Sequence, residues 1–381
     1  MKEYKYLYQK MLQDEIIRKA YKKLRKGKTK RKEIKKIDAD LDNEVAAMRE
    51  MILNTKPCPV EHPEKAYRPR KRTPKFIEEK GKKRRIYMPE IHEQWLHHII
   101  VLVLEPIITA TAYKYSCGSF PNRGAHYGKK QLEKWIKSGK GIRYFAKLDI
   151  RHFYDSIQLK ILLRELSIRV KDDWFLYVVE VSLSGFQKGI PLGFYISQWF
   201  ANYLLEPLDK LIQGNPNIKA FIRYMDDIVF GGPNKKKLHA AIIEVMKMLG
   251  RRFRLKLKNN YQVFRFDYVK KDGKRIGRPL DFMGFLFFRD KTLIRKRIMI
   301  AATKLAKRMN REKEIRKGYF RKHISAMISY LGWFDCTNTY DCYEEYIKPF
   351  VNIGRLKKIT SKLQRRQNDE TVDSGTLLRA A

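Results

Sequence analysis

The sequence predicts an α+β fold, and a few features carry the prediction. Residues 1 to about 55, and those from Arg295 onward, alternate apolar and charged positions at helical spacing. Between them, Phe145–Ile150 and Ile222–Phe230 are short apolar, β-prone runs, the first ending on an acid and the second broken by an acidic pair. With 381 residues, 44% hydrophobic and 12% aromatic, the chain can bury a large core divided into two or three subdomains. The 83 Lys and Arg against 41 Asp and Glu leave a net charge of +42, an excess that points to a polyanionic partner, with nucleic acid first. No stretch of about 20 apolar residues is expected to span a bilayer, so a membrane is not expected as partner. The absence of an apolar signal segment behind Met1 and the presence of four cysteines, none in Cys-x-x-Cys spacing, fit a reducing cytoplasm. Zinc is not expected: Cys58 with His62 is at most half a motif, and the thiols read as packed or surface groups.

Taken in order, the N-terminal 1–55 helices are interrupted by the dense basic run Lys22–Lys32, which needs a counter-charge and predicts an RNA-facing edge. Pro57, Pro59, Pro63, Pro69 and Pro74 make 56–75 an extended connector. Phe76–Pro89 reads as a hairpin with Gly81 at its turn and a basic returning strand, on which Lys83 and Arg85 alternate onto one face. The register among Lys82, Lys83, Arg84 and Arg85 stays open by one residue. His92–Ile107 reads as an amphipathic helix in which His97 and His98 are structural, and Ser116–His126 as a Gly/Pro loop leading into a helix.

Asp149 ends the run Phe145–Ile150, and a helix follows at Phe153–Ile157. After the loop Gln187–Asn202, Leu208-Asp209 is expected to close a helix. Ile222–Phe230 then reads as a hairpin presenting Asp226 and Asp227 at its tip. Lys235–Gly250 reads as a helix and Arg254–Lys258 as a basic strand. Pro279–Phe287 reads as a strand pair around the tight bend allowed by Gly284. Adjacent carboxylates repel, so Asp226-Asp227 implies a positive occupant. With Asp149 from a separate element, the three would converge on two Mg²⁺ ions, which activate a 3′-hydroxyl and stabilise a pyrophosphate leaving group.

Taken together, Phe145-Ala146-Lys147-Leu148-Asp149 and Tyr224-Met225-Asp226-Asp227 resemble, in the same order, the palm motifs of reverse transcriptases, the RNA-directed DNA polymerases. The resemblance covers about residues 70 to 350. It implies a right-hand polymerase fold: a basic helical extension at 1–55, fingers at 56–143, a palm at 144–290, a helical thumb at 291–367 and a disordered tail at 368–381. It implies catalysis by Asp149, Asp226 and Asp227, with the Ile150 carbonyl as a further metal ligand and Mn²⁺ able to replace Mg²⁺. Lys83 and Arg85 would grip the triphosphate of an incoming dNTP, with Arg123 and His126 near template or triphosphate. Tyr154 would be the steric gate against a 2′-hydroxyl, with Phe153 packed beside it and Asp155 capping a helix or supporting the site. Either Lys256 or Lys258 would be the general acid toward pyrophosphate. Met283-Gly284 would be the primer grip. The basic residues from Lys296 to Lys313 would lie along an RNA–DNA duplex. No nuclease-like segment follows, so ribonuclease H activity is not expected in this chain.

The loop Leu192-Gly193-x-x-x-Ser197-Gln198 departs from the family's Gln-Gly-x-x-x-Ser-Pro and is similar to that of diversity-generating retroelement enzymes. Leu in place of an amide removes polar contacts to the nascent pair, and the absence of one hydrogen bond of about 1–3 kcal/mol is ten- to hundred-fold in discrimination. That subtype implies error-prone copying of a template RNA into cDNA, with errors at adenines, and a small basic accessory protein. The alternatives are a retron-like or phage-defence enzyme copying a dedicated noncoding RNA, and a non-catalytic RNA-binding protein.

Overall fold

A computed structural model describes residues 2–361 apart from 58–59, 70–72, 80, 140, 187 and 317–319. Cys58 and the tail 368–381 therefore lie outside the described residues. The chain forms two compact units, one of residues 1–124 and 146–263, the other of 125–145 and 264–381.

The first unit begins with α1 (Leu7–Met11), α2 (Asp14–Arg25), α3 (Lys32–Ala39) and α4 (Leu41–Leu53). The basic run does interrupt helicity, at Gly27 with φ 75°. Ile17, Ala20, Tyr21 and Leu24 give α2 one buried face while its lysines stay outside. The proline-rich connector holds only a short 3₁₀ turn at Pro63–Lys65. The hairpin of β1 (Lys75–Glu79) and β2 (Lys82–Ile86) follows. Next comes α5 (Ile91–Thr111), which corrects the expectation about bilayer-length segments: its 21 residues are long and apolar enough to cross a membrane by length and composition. Glu93 and Glu105 break up its apolar run and hide that length in the sequence. Its Trp95, Leu96, Ile99, Ile100 and Val103 are buried within the unit, where it packs on α2.

Further on lie β3 (Ser116–Cys117), α6 (Ala125–Lys137, in the second unit), β4 (Tyr144–Asp149), α7 (Phe153–Ser156), α8 (Leu159–Ser167), α9 (Asp173–Leu183), α10 (Tyr195–Leu204) and α11 (Glu206–Gln213). The expected closure at Leu208-Asp209 is corrected: a new helix starts at Glu206, and Asp209 is buried in its middle. Then follow β5 (Ala220–Tyr224), β6 (Asp227–Gly232) and α12 (Lys235–Met248), which continues as a π-helical turn over Leu249–Phe253. β7 (Gln262–Arg265) completes a five-stranded sheet of order β3-β5-β6-β4-β7. The basic strand expected at Arg254–Lys258 is corrected to an irregular segment joined to the end of β4 by the bridge of Ile150 with Leu257. Its alternation arises from Leu255 and Leu257 being buried and Lys256 exposed, which needs no ladder.

The second unit has the two-stranded β8 (Tyr268–Val269) and β9 (Arg275–Ile276), then the three-stranded sheet β10 (Leu280–Phe282), β11 (Phe285–Phe287) and β12 (Thr292–Ile294). Helices α13 (Lys296–Arg316), α14 (Arg321–Phe334) and α15 (Tyr340–Tyr346) close it. Ala302, Ala306 and Met309 of α13 bury against a core with Ile324, Met327 and Phe334 of α14. Lys296, Arg297, Lys304, Lys307, Arg308, Arg311 and Lys313 all stay exposed, giving α13 a basic outer face.

Candidate active site

The first unit brings the acids of β4 and of the β5–β6 hairpin to one place. Tyr224 pairs with Asp227 across the hairpin, so Met225 and Asp226 form the turn. Met225 takes φ 56°, a left-handed conformation that non-glycine residues rarely adopt. What holds it lies beneath. The guanidinium of Arg223 donates twice to Asp209, at 2.7 Å each, and also to the Met225 carbonyl at 2.8 Å, Asn202 Oδ1 at 3.0 Å and Ser116 Oγ at 2.8 Å. Arg223 and Asp209 are each 1% exposed. This buried network satisfies the guanidinium at both edges, as a charge removed from water requires. It ties the turn to α10, α11 and β3. Sequence reasoning passed over Arg223 as one member of its run, although a charge inside Phe221-Ile222-Arg223 was a signal that a partner acid must exist.

The carboxylates act on one another. Burial, and next the charges of Asp227 and Asp149, push the Asp226 carboxyl up to about 6, with Lys258 pulling the other way. The Lys258 ammonium donates to Asp149 Oδ2 at 2.5 Å, and the Lys258 amide donates to the Asp149 carbonyl at 2.8 Å. Lys256 is exposed. Thus the two lysines left open by the sequence are separated by position, Lys258 being the one at the acids. Asp149 Oδ1 is buried with no hydrogen-bond partner. Among the described residues, no three His, Cys, Asp or Glu side chains stand ready-made for a metal ion. In this form Lys258 serves Asp149 where a cation would. The donor set still fits a hard divalent cation: oxygen ligands only, one of them unpaired, and three carboxyls near enough to raise a pKa.

Among the residues expected to handle a nucleotide, Tyr154 lies within electrostatic reach of Asp226. Tyr154 sits 5.5 Å ring to ring from the buried Phe153, and its phenol is raised by burial and then by the charge of Asp226. Arg85 Nη2 lies 3.3 Å from Asp155 Oδ1, which places Asp155 beside the hairpin cation rather than at a helix cap. Arg84 bears electrostatically on Tyr154, Lys83 is exposed, and the Lys82 side chain lies outside those described. Arg123 donates to the Tyr113 carbonyl at 3.3 Å and covers the Phe120 ring at 5.4 Å.

The loop before α10 is seated against β2. The Tyr87 amide donates to the Leu192 carbonyl at 2.8 Å, and a Cβ on Gly193, at φ 106°, would stand 2.3 Å from the Tyr87 carbonyl. Only glycine fits there. Leu192 is half-buried, the Ser197 hydroxyl is buried without a partner, and exposed Gln198 accepts from Ser119 Oγ at 3.1 Å. His97 and His98 pack on rings, against Phe194 and Tyr195, and burial lowers His98 to about 4.

In the second unit, Met283 at φ 51° and Gly284 at φ 92° form the turn between β10 and β11. A Cβ on Gly284 would stand 2.7 Å from the Trp333 ring. His126 belongs to this unit, its Nδ1 3.3 Å from Cys336 Sγ and its ring 5.6 Å from Trp333.

Residues 70–285 match the family model described as reverse transcriptase (RNA-dependent DNA polymerase). Among solved structures, apo telomerase from Candida tropicalis truncated from its C-terminal domain is 14% identical over 58% of this chain and 52% of that one, with a TM-score of 0.39. Telomerase from Candida albicans, in complex with the TWJ fragment of telomeric RNA, is 11% identical over 72% of this chain and 54% of that one, with a TM-score of 0.43. The chain spans about half the length of these telomerases. No curated protein matches it.

Proposed function

The chain belongs to the reverse transcriptase (RNA-dependent DNA polymerase) family, with its right-hand polymerase fold, and from that premise we propose that it copies an RNA template into cDNA by nucleotidyl transfer from dNTPs. The observation that carries this is the Asp226 carboxyl, pushed up to about 6 by burial and by Asp227 and Asp149. Chain segments far apart in sequence deliver acids that disfavour one another's charge, an arrangement that suits a site built for cations.

Asp149, Asp226, Asp227 and the Ile150 carbonyl would hold two Mg²⁺ ions, or Mn²⁺ in their place. Bound there, the ions supply activation of a 3′-hydroxyl and neutralisation of charge on the phosphates. The protein's own groups do the rest. Arg85 and Lys83 on β2 take the triphosphate, Arg85 leaving Asp155 to do so. Tyr154, a half-buried neutral phenol, would fill the space a 2′-hydroxyl needs. Lys258, beside Asp149, would give a proton to the departing pyrophosphate. The turn at Met283-Gly284 steadies the primer, and the basic outer face of α13 runs along the RNA–DNA duplex through its phosphates.

Within the family, the reading favoured is the error-prone enzyme of a diversity-generating retroelement, assisted by a small basic accessory protein. Leu192 supports it, offering no polar side-chain group where an amide would hold the nascent pair. The helical extension α1–α4, with its basic run, favours a second reading: a retron-like or defence enzyme docked on its own noncoding RNA. Sequencing the cDNA made from the co-purifying RNA decides between them. Substitutions clustered at template adenines are expected; accurate cDNA would move the assignment to the second reading.

A further inference from the structure

Away from the carboxylates, the second unit contains a cleft of about 450 Å³ lined by Arg143, Arg265, Arg289, Tyr268 and two glycines, with no acid in its described lining. Arg143 directly precedes β4, whose other end carries Asp149. Arg289 and Arg265 are oriented by neutral groups. Arg289 donates from Nε to the Asp267 carbonyl at 3.0 Å and from Nη2 to the Ile142 carbonyl at 2.9 Å. Arg265 lies over the Tyr144 and Tyr268 rings at 5.3 and 5.9 Å. Arg143 is exposed. The nearby acids stay out of the lining: Asp267 accepts through Oδ2 from Arg275 at 2.7 Å and from the Arg289 amide at 2.9 Å while its Oδ1 is buried without a hydrogen-bond partner, and Asp290 pairs with Arg275 at 2.9 Å. Three guanidiniums in a concave site without a counter-acid raise the local potential and match the paired oxygens of a phosphate. Tyr268, 40% exposed at the edge, offers a ring face, and the β8–β9 turn adds exposed Lys270, Lys271 and Lys274.

We propose that this arginine cleft is a second nucleic-acid site, which takes a backbone phosphodiester with an adjoining base or sugar on Tyr268. The shared chemistry is the phosphodiester, and either the RNA template or the cDNA strand can supply it. The inference rests on the polymerase reading only in taking the polyanion to be nucleic acid.

The test is binding by the full chain to a fluorescent RNA–DNA hybrid, a single-stranded RNA and a single-stranded DNA, each over a range of salt concentrations. Removing one cation that neutralises a phosphate lowers the slope of log affinity against log salt by about 0.9 on a duplex and about 0.7 on a single strand. Arg143→Ala, at an exposed position, is expected to lower it by one such step, and Arg143→Ala with Arg265→Ala by two, with the melting temperature of the single variant unchanged. A shallower slope on the RNA probe alone assigns the cleft to template, and a shallower slope on DNA alone assigns it to product. Unchanged slopes on all three probes overturn the proposal. Failure of the polymerase reading shows separately, as absence of cDNA from a wild-type chain whose slope still depends on Arg143.

Discussion

Tyr224–Asp227 in the first unit and Phe282–Phe285 in the second are both tight hairpin turns that begin with a methionine in left-handed backbone, Met225 at φ 56° and Met283 at φ 51°. The first presents a side chain, Asp226, and is held from below by a buried ion pair that also grips the turn's own carbonyl. The second presents bare backbone at Gly284 and is held by an indole against which no Cβ would fit. A turn that must display a charge is anchored by directional polar bonds, while one that must display a flat main chain is anchored by shape.

The comparison can be broken most severely at the acid itself. Asp226→Asn should lower nucleotide incorporation by at least about 10³-fold, because a charged metal ligand contributes several kcal/mol to the transition state; a steady-state primer-extension rate checks it, with binding to primer-template retained. Next in size is the anchor. Arg223→Leu leaves Asp209 buried and uncompensated and should destabilise the chain by about 3–5 kcal/mol, whereas the further change Asp209→Leu should restore much of that stability, as read by denaturant melts. At the other hairpin, Gly284→Ala should cost about 2–4 kcal/mol, the sum of left-handed strain and a clash with the indole, and Trp333→Ala should relieve the clash but not the strain.

A comparable effect, of about 3 kcal/mol, concerns pH. Asp226 titrates near 6 in the folded chain against 3.8 unfolded, so the folded state binds the proton more tightly. Stability in a chelator should therefore be fullest below about pH 4 and fall as pH rises through 6. Asp226→Asn should abolish that slope, and added Mg²⁺ should raise the stability of the wild-type chain at pH 7. Smallest of all, Met283→Gly should stabilise by about 0.5–1 kcal/mol by relieving the left-handed conformation. Met225→Gly should gain less, because the Met225 sulfur also lies 3.2 Å from Ser119 Oγ. Equal gains at the two turns would erase this distinction.

What the sequence revealed follows the same division. The acids announce themselves, since a carboxyl pair between apolar strands has few bland explanations, and the fold places Asp149, Asp226 and Asp227 where their charges interact. The hairpin turns, the N-terminal helices and the helices that follow Arg295 were likewise legible as spacing. The supports were not. Asp209 and Arg223 are 14 residues apart, and nothing local says that they meet. Gly193 needs its missing side chain because of Tyr87, distant in sequence, and Trp333 shields Gly284 from another helix. The register on β2 was open because all four residues are cations, and it is the distant Asp155 and Tyr154 that distinguish Arg85 from Arg84. Long-range pairing, not propensity, determines these positions.

The role proposed for the carboxylates around the first hairpin is metal-dependent synthesis on RNA. The most direct measurement is extension of a DNA primer on an RNA template by the purified chain, titrated with Mg²⁺, beside Asp226→Asn. Extension that requires both the metal and Asp226 is expected. Extension by the variant at the wild-type rate, or none by the wild-type chain at any Mg²⁺ concentration while it binds the primer-template, would contradict it.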